Sequence, residues 1–464
     1  MKRSIVLSLI AIVALSNVSS HAQDPGLKLP PYKKVTLPNG LTVLLMERRQ
    51  LPLVSFQLIV KTGSVADPAG KEGLAAVTAE LLRKGTKART ADKISEELDF
   101  VGATFGTGSN PDYSMASAEF VKKDLASGLD LLADMLISAS FPQEEVTKAL
   151  ARRIDGIKSA KDQAQAVIRT YFNSYLYGAH PYGRPTGGDE KSLASITRDD
   201  IAGFYRDYYV PDNSILAIVG DFNTAEMERA IAEKFGQWRA KPVAAIKLPE
   251  PVAVKGKKLL LVDKPDSVQT FFILGNLGVS RTNPDRVYIN VVNTLFGGRF
   301  TSLINSELRI KSGLTYGASS SFDLRKAPGP FLISSYTRNA TTQQALDMTL
   351  QVLRRFHETG ISEEQLKSAK NYIKGQFPPT IETSDELASQ IALLEFYGLD
   401  QTEITGLFDK IDRMSVADAK RIIKQYFPED QMVLVLVGKA SEIQEIAAKL
   451  APTVDRKSIS EPGF

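Results

Sequence analysis

The sequence predicts an α+β protein made of two homologous halves, and three observations carry that prediction. Helical and extended patterns alternate along the chain. A composite motif near residue 210 returns near residue 427: ITRDDIAGFYRDYYVPDNSILAIVGDF is echoed by MSVADAKRIIKQYFPEDQMVLVLVGKA. In each, a helix ends in aromatics, a proline follows, and an apolar strand closes on Val-Gly, at Gly220 and at Gly438. Between the halves lies AKPVAAIKLPEPVAVKGKK, rich in proline and lysine and without helical or strand period, which reads as a linker. The predicted organisation is a leader over 1–22, a first half over 23–240, a linker over 241–258 and a second half over 259–464. Each half has the usual size of a domain.

The elements follow in order. Residues 32–61 read as a hairpin turning at Pro38-Asn39-Gly40, with LVSFQLIVKTGS as a buried strand. GLAAVTAELLRK (73–84) is an amphipathic helix, with Leu74, Val77, Thr78, Leu81 and Leu82 on one face and Ala76, Ala79, Glu80 and Arg83 on the other. Helices are expected over 90–100, 123–138, 141–157 and 196–208, and strands over 116–120 and 214–219. The second half opens SVQTFFILGNLGVS, as the first opens LPLVSFQLIVKTGS. Trp238 is assigned to the core, and PYGRPTGGDE (181–190) to an ordered loop: it lacks the lysine and the preceding strand of a phosphate loop.

Composition narrows the chemistry. Lys2 and Arg3, an apolar run over 5–15 and Ser20-His21-Ala22 form a secretory leader cut after Ala22, which places the mature chain in a bacterial periplasm. The apolar run is shorter than the roughly 20 residues that span a bilayer, and no later segment approaches that length. There is no cysteine, which removes thiolate nucleophiles, iron–sulfur clusters and Cys-zinc sites. Of three histidines, only His180 and His357 lie beyond the leader, in loop-like or surface contexts and without a paired ligand. Losing Lys2 and Arg3 lowers the formal charge from +4 to +2, and nothing points to a nucleic-acid partner. No G-x-S-x-G elbow is present either.

The stretch LFGGRFTSLINSELRIKSGLTYGASSSF (295–322) is the densest in signals. Gly297 and Gly298 suit a tight turn or a close approach. Phe300, Leu303, Ile304 and Leu308 give a helix one apolar face, and Arg309 points away from it. Lys311-Ser312-Gly313 ends the helix, and Leu314-Thr315-Tyr316 begins a strand, so Arg309 and Tyr316 can share a surface.

Together, LPNGLTVLL, GLAAVTAELLRKGT and GGRFTSLINSELRIKSGLTYG, in this order in a doubled chain, resemble the M16 (pitrilysin-like) zinc peptidases, and most nearly the two-domain M16B members. The resemblance implies two α/β-roll halves, each a mixed sheet packed by helices, together forming half of a clamshell chamber. Active members carry H-x-x-E-H on the helix that is GLAAVTAELLRKGT here, two His binding zinc and the Glu activating water. Aligned on that helix, the ligand positions hold Ala76 and Glu80, the base position Ala79, and the third ligand position falls near Gly156. Asp155 beside it makes no zinc site, and Glu80 is expected to pair with Arg83 or Lys84. In the family an Arg and a Tyr spaced as Arg309 and Tyr316 hold the substrate carbonyl opposite the zinc. The resemblance therefore implies a chain without metal of its own, partnered in a heterodimer by a homologous zinc-bearing subunit, acting on short or unfolded peptides. Alternatively, the fold serves as a catalytically inert peptide-binding or assembly protein.

Overall fold

A computed structural model describes residues 27–464, and the leader lies outside them. Six strands of the first half form one sheet: β1 (Lys33–Thr36), β2 (Thr42–Glu47), β3 (Leu53–Val60), β4 (Thr104–Ser109), β5 (Ser114–Val121) and β6 (Ser214–Gly220), in the order β1-β2-β6-β3-β5-β4. β2 and β6 are parallel and the other neighbours antiparallel. The second half repeats the plan with β7 (Lys257–Asp263), β8 (Gln269–Leu277), β9 (Ala318–Phe322), β10 (Pro330–Arg338), β11 (Met432–Gly438) and β12 (Thr453–Ser458), in the order β12-β7-β11-β8-β10-β9.

The sequence repeat is therefore a repeat of position in a sheet. β6 and β11 are buried at every residue, as strands covered on both faces must be. Gly220 pairs with Glu47 and Gly438 with Asp263. Each acid caps the start of the next helix: Glu47 Oε1 accepts the N–H of Thr224 at 2.7 Å, and Asp263 Oδ1 that of Ala440 at 2.9 Å. A carboxylate there answers the positive end of the helix dipole. The outer strands break the symmetry. β1 is the antiparallel hairpin partner of β2, whereas β12 joins from the other end of the chain and runs parallel to β7.

One face of each sheet packs on helices of its own half, and Trp238 closes the first core with its indole N–H on Tyr209 O. The other face packs on a helix from the opposite half. Helix Ala164–Tyr177 lays Val167, Tyr171 and Phe172 against Val262, Ile273, Val433 and Val435. Helix Ser384–Tyr397 lays Leu387, Ala388, Ile391 and Ala392 against Leu44, Ile59, Ile215 and Ala217. Neither helix is predicted in the sequence analysis, yet this exchange locks the halves together. Among the described residues, no helix is long and apolar enough to cross a membrane.

Candidate functional site

The first site is the helix Leu74–Leu81. Asp67 fixes its start: the buried carboxylate accepts the N–H of Gly73 and of Ala75, each at 2.9 Å. Burial, only partly offset by those two donors, pushes the Asp67 carboxyl up to about 7. The helix packs beside the long helix Gln143–Lys161, which carries Gly156. Ala76 and Ala79 are buried, so the face they share with Glu80 and Arg83 is largely closed over.

Arg153 closes it. Its Nε donates to Glu80 Oε2 at 2.6 Å and its Nη2 to the Ala76 carbonyl at 3.2 Å, while Arg152 donates to Glu80 Oε1. The expected pairing of Glu80 with Arg83 or Lys84 is thus replaced by a clamp from the neighbouring helix. Arg83 instead turns toward the Phe105 carbonyl. The signal was present in ALARRIDGIKSAK, two adjacent arginines one turn before Gly156. Gly156 itself is exposed, with nothing within 4 Å of where a Cβ would stand, and Asp155 faces solvent with Lys158 at 3.7 Å.

These residues do not fit a zinc ion. Both oxygens of Glu80 are taken by guanidinium groups, and Ala76, Ala79 and Gly156 offer no donor atom. Among the described residues, no three His, Asp or Glu side chains are grouped to hold a metal. His180 lies in the loop after helix Ala164–Tyr177, a loop-like context as expected, but not at the surface. It is buried, with Nδ1 accepting the N–H of Tyr182 at 3.0 Å and Nε2 on the Pro249 carbonyl at 2.9 Å. Both ring nitrogens are thereby used to hold the chain turn. His357 sits on the helix Thr342–Thr359, with its ring largely covered and Nδ1 4.0 Å from Glu429.

The second site is the stretch from Thr294 to Ala318. Thr294–Gly298 and Ser306–Lys311 are π-helical turns flanking Leu303–Asn305. A Cβ on Gly297 would stand 2.4 Å from Ser320 N, so glycine permits the close approach to β9. Ile304 and Leu308 are fully buried, but Phe300 precedes the helix and is 60% exposed, so it leaves the apolar face assigned to it. Gly313 takes φ +64°, and the N–H of Leu314 closes on the Leu308 carbonyl at 2.9 Å. Strand β9 begins at Ala318, not at Leu314. Thr315 turns the chain, its hydroxyl bonding both the N–H and the carbonyl of Gly317.

Tyr316 consequently stands out from the surface, 77% exposed. Arg309 and Tyr316 line one cavity of about 450 Å³ with Tyr336 and Arg338. Arg309 also borders a cavity of about 640 Å³ beside Arg299 and Phe300, and its guanidinium carbon is 4.8 Å from the centre of the Phe300 ring. Such face contact steadies the charge and leaves the in-plane N–H groups for a ligand.

Residues 42–190 match the family described as Insulinase (Peptidase family M16), and residues 195–373 match the Peptidase M16 inactive domain. The chain belongs to peptidase family M16. The Bacillus subtilis protein named uncharacterized zinc protease YmxG is 23% identical over 87% of this chain and 98% of its own. A Mycobacterium leprae protein of similar designation is 25% identical over 88% of this chain and 92% of its own. The crystal structure of a peptidase M16 inactive domain from Pseudomonas fluorescens superposes with TM-score 0.83 at 26% identity, covering 88% of this chain and 98% of that one. A Helicobacter pylori protease has the same fold, with TM-score 0.83 at 22% identity, covering 89% of this chain and all of that one.

Proposed function

We propose that this chain is the non-zinc subunit of an exported, periplasmic heterodimeric M16 peptidase. It supplies half of a peptide chamber and a catalytic Arg309/Tyr316 pair that acts in trans. The observation that carries this reading is a contrast between the two sites. Around Ala76 and Glu80 the protein's own guanidinium group fills the space and takes the acceptors. Arg309 and Tyr316, by comparison, line a common cavity. The zinc, held by the partner, would polarise the peptide carbonyl and activate water. Arg309 offers a fixed positive charge with planar donors, and Tyr316 a single hydroxyl donor, to the carbonyl oxygen as it gains charge. Donors of this type are worth roughly 100–1000-fold in rate each.

The test is reconstitution with a zinc-bearing M16 subunit. Activity should rise well above that of the partner alone. Arg309→Ala and Tyr316→Phe should then lower kcat more than they change KM, with the complex still assembled by size. Tyr316→Phe keeps the ring and removes only the hydroxyl, and Ser306→Ala is the control. If both variants keep full kcat, the pair is structural. The chain is then an inert peptide-binding or assembly protein.

A further inference from the structure

The two cavities bordered by Arg309 meet in one groove. Arg309 and Tyr336 line both, so the spaces of about 450 and 640 Å³ adjoin across these two side chains. One peptide carbonyl fills little of that volume. Phe271 and Tyr336, paired across β8 and β10, stack with ring centres 5.0 Å apart and planes at 18°. Phe300 and Tyr372 line the larger part and Tyr316 the smaller, and all three are exposed. Exposed aromatic side chains gathered along a cleft mark a binding surface.

Three arginines line this groove with no carboxylate partner among the described residues: Arg299, Arg309 and Arg338. Arg299 is held in place. Its Nη1 donates to Ser368 Oγ at 3.0 Å, and its guanidinium carbon is 5.7 Å from the centre of the Tyr372 ring. Arg309 lies on the Phe300 ring, and Arg338 stands exposed at the end of β10. No Asp or Glu lines either cavity. The carboxylates on or beside the wall elements are engaged elsewhere or stand outside. Glu307 takes Lys311 and Arg355, Asp323 takes Arg325 and Arg169, and Asp266 takes Lys264. Glu363 and Glu364 sit in the first turn of the helix that carries Ser368 and Tyr372. The fourth cation of the lining, Arg169, is thus partly answered, and three positive charges remain. The whole chain carries a formal charge of only +4, so this is a local concentration.

We infer that the groove selects peptides by their carboxylates, with Arg299 and Arg338 as the selecting residues. The aromatic floor accepts apolar side chains of many kinds, whereas complementary charge decides which peptide seats. The inference names the substrate class of the proposed subunit and rests on that reading, but its test is binding to the full chain alone. Short apolar peptides labelled with rhodamine at the amino end are titrated by fluorescence anisotropy at low salt. One carries three glutamates and an amidated end, the second replaces them by glutamine, and the third is the glutamine peptide with a free carboxyl end. An exposed charge pair contributes about 1.4- to 5-fold. A carboxylate-bearing peptide should therefore bind up to about tenfold more tightly than the amidated glutamine peptide, and high salt should remove most of the difference. Whether the second or third peptide shows the contrast tells if side chains or the chain end supply the carboxylate. Arg338→Gln and Arg299→Gln should each cut the preference about two- to fivefold. Arg456→Gln, the same charge change on exposed residues of β12, should leave it intact. If Arg299→Gln does not fold, Arg338→Gln decides. The inference is overturned if neither carboxylate peptide binds more tightly, if Arg338→Gln keeps the preference, or if Arg456→Gln lowers it equally. Acidic peptides that bind without activity in trans refute the peptidase role alone. Activity in trans without the preference refutes this inference alone.

Discussion

Restoring the four metal positions should not restore a metal site while Arg153 stays in place. The perturbation is Ala76→His, Ala79→Glu, Glu80→His and Gly156→Glu together, made with and without Arg153→Leu. A cation held between residues 76 and 80 competes for the space that the Arg153 guanidinium now fills, since that group bonds to both residues. Like unit charges ~4 Å apart repel by ~4 kcal/mol at the effective dielectric of a protein surface, and a divalent ion doubles this. The Arg153 side chain is 24% exposed, so it can partly swing away and is partly screened. A fair discount leaves about 1.4–2.8 kcal/mol, or roughly ten- to hundredfold in affinity. Competition with a chromophoric zinc chelator reads this directly. The five-fold variant should bind zinc at least tenfold more tightly than the four-fold one. Equal affinities would show that Arg153 does not guard the site and that the register of these positions is wrong.

Two other outcomes test the frame around the sites. Asp67 has a folded pKa of about 7, above its unfolded value near 4. The native state therefore holds its proton longer, and this group's stabilising contribution is full below about pH 4 and lost as pH rises through about 7. Denaturation midpoints should fall by the equivalent of about 1 kcal/mol per pH unit across that window, and Asp67→Asn should flatten the slope; identical slopes would refute it. Ile391→Ala, at a fully buried position on the exchanged helix, should cost about 2–5 kcal/mol and speed amide exchange in β3 and β6 of the other half. Unchanged exchange there would mean that the halves are independent.

What could be read from the sequence was set by periodicity and by punctuation. The Val-Gly repeat identified the two central strands because a strand covered on both faces must be apolar throughout. Gly313 marked the helix end because only glycine takes that φ cheaply. The misreadings share a different cause. Phe300 fits the helical period of 303–308, but Ser302 is extended and the helix starts after it, so the period does not reach Phe300. Glu80 has local cations at helical spacing, but the long helix delivers guanidinium groups at closer range, and a partner from distant sequence leaves no local mark. The two exchanged helices were missed for a related reason. In Ser384–Tyr397 the residues Leu387, Ala388, Ile391, Ala392, Leu394 and Phe396 are all buried, which leaves a narrow polar face and a weak amphipathic signal.

The exchange also bears on how a peptide could be admitted. To hinge apart, the halves would have to uncover helix Ser384–Tyr397 or Ala164–Tyr177. Burying one Leu, Ile or Phe contributes about 1.5–3 kcal/mol, so exposing Leu387, Ile391 and Phe396 alone costs about 5–9 kcal/mol. That matches the whole stability of an ordinary domain, about 5–15 kcal/mol. Asp112 adds a polar lock on the same seam: it accepts the Tyr182 hydroxyl at 2.5 Å and the N–H of Lys326 at 2.8 Å, joining the first half to the second. The chain therefore moves as one body. In the proposed complex, opening and closing fall to the contact between subunits, and Arg309 and Tyr316 reach the partner's site by closure of the whole chain. A rigid body brings the backbone of the pair to a fixed place, and the exposed Tyr316 side chain then takes its final position against the partner, where oxyanion donors act on the transition state.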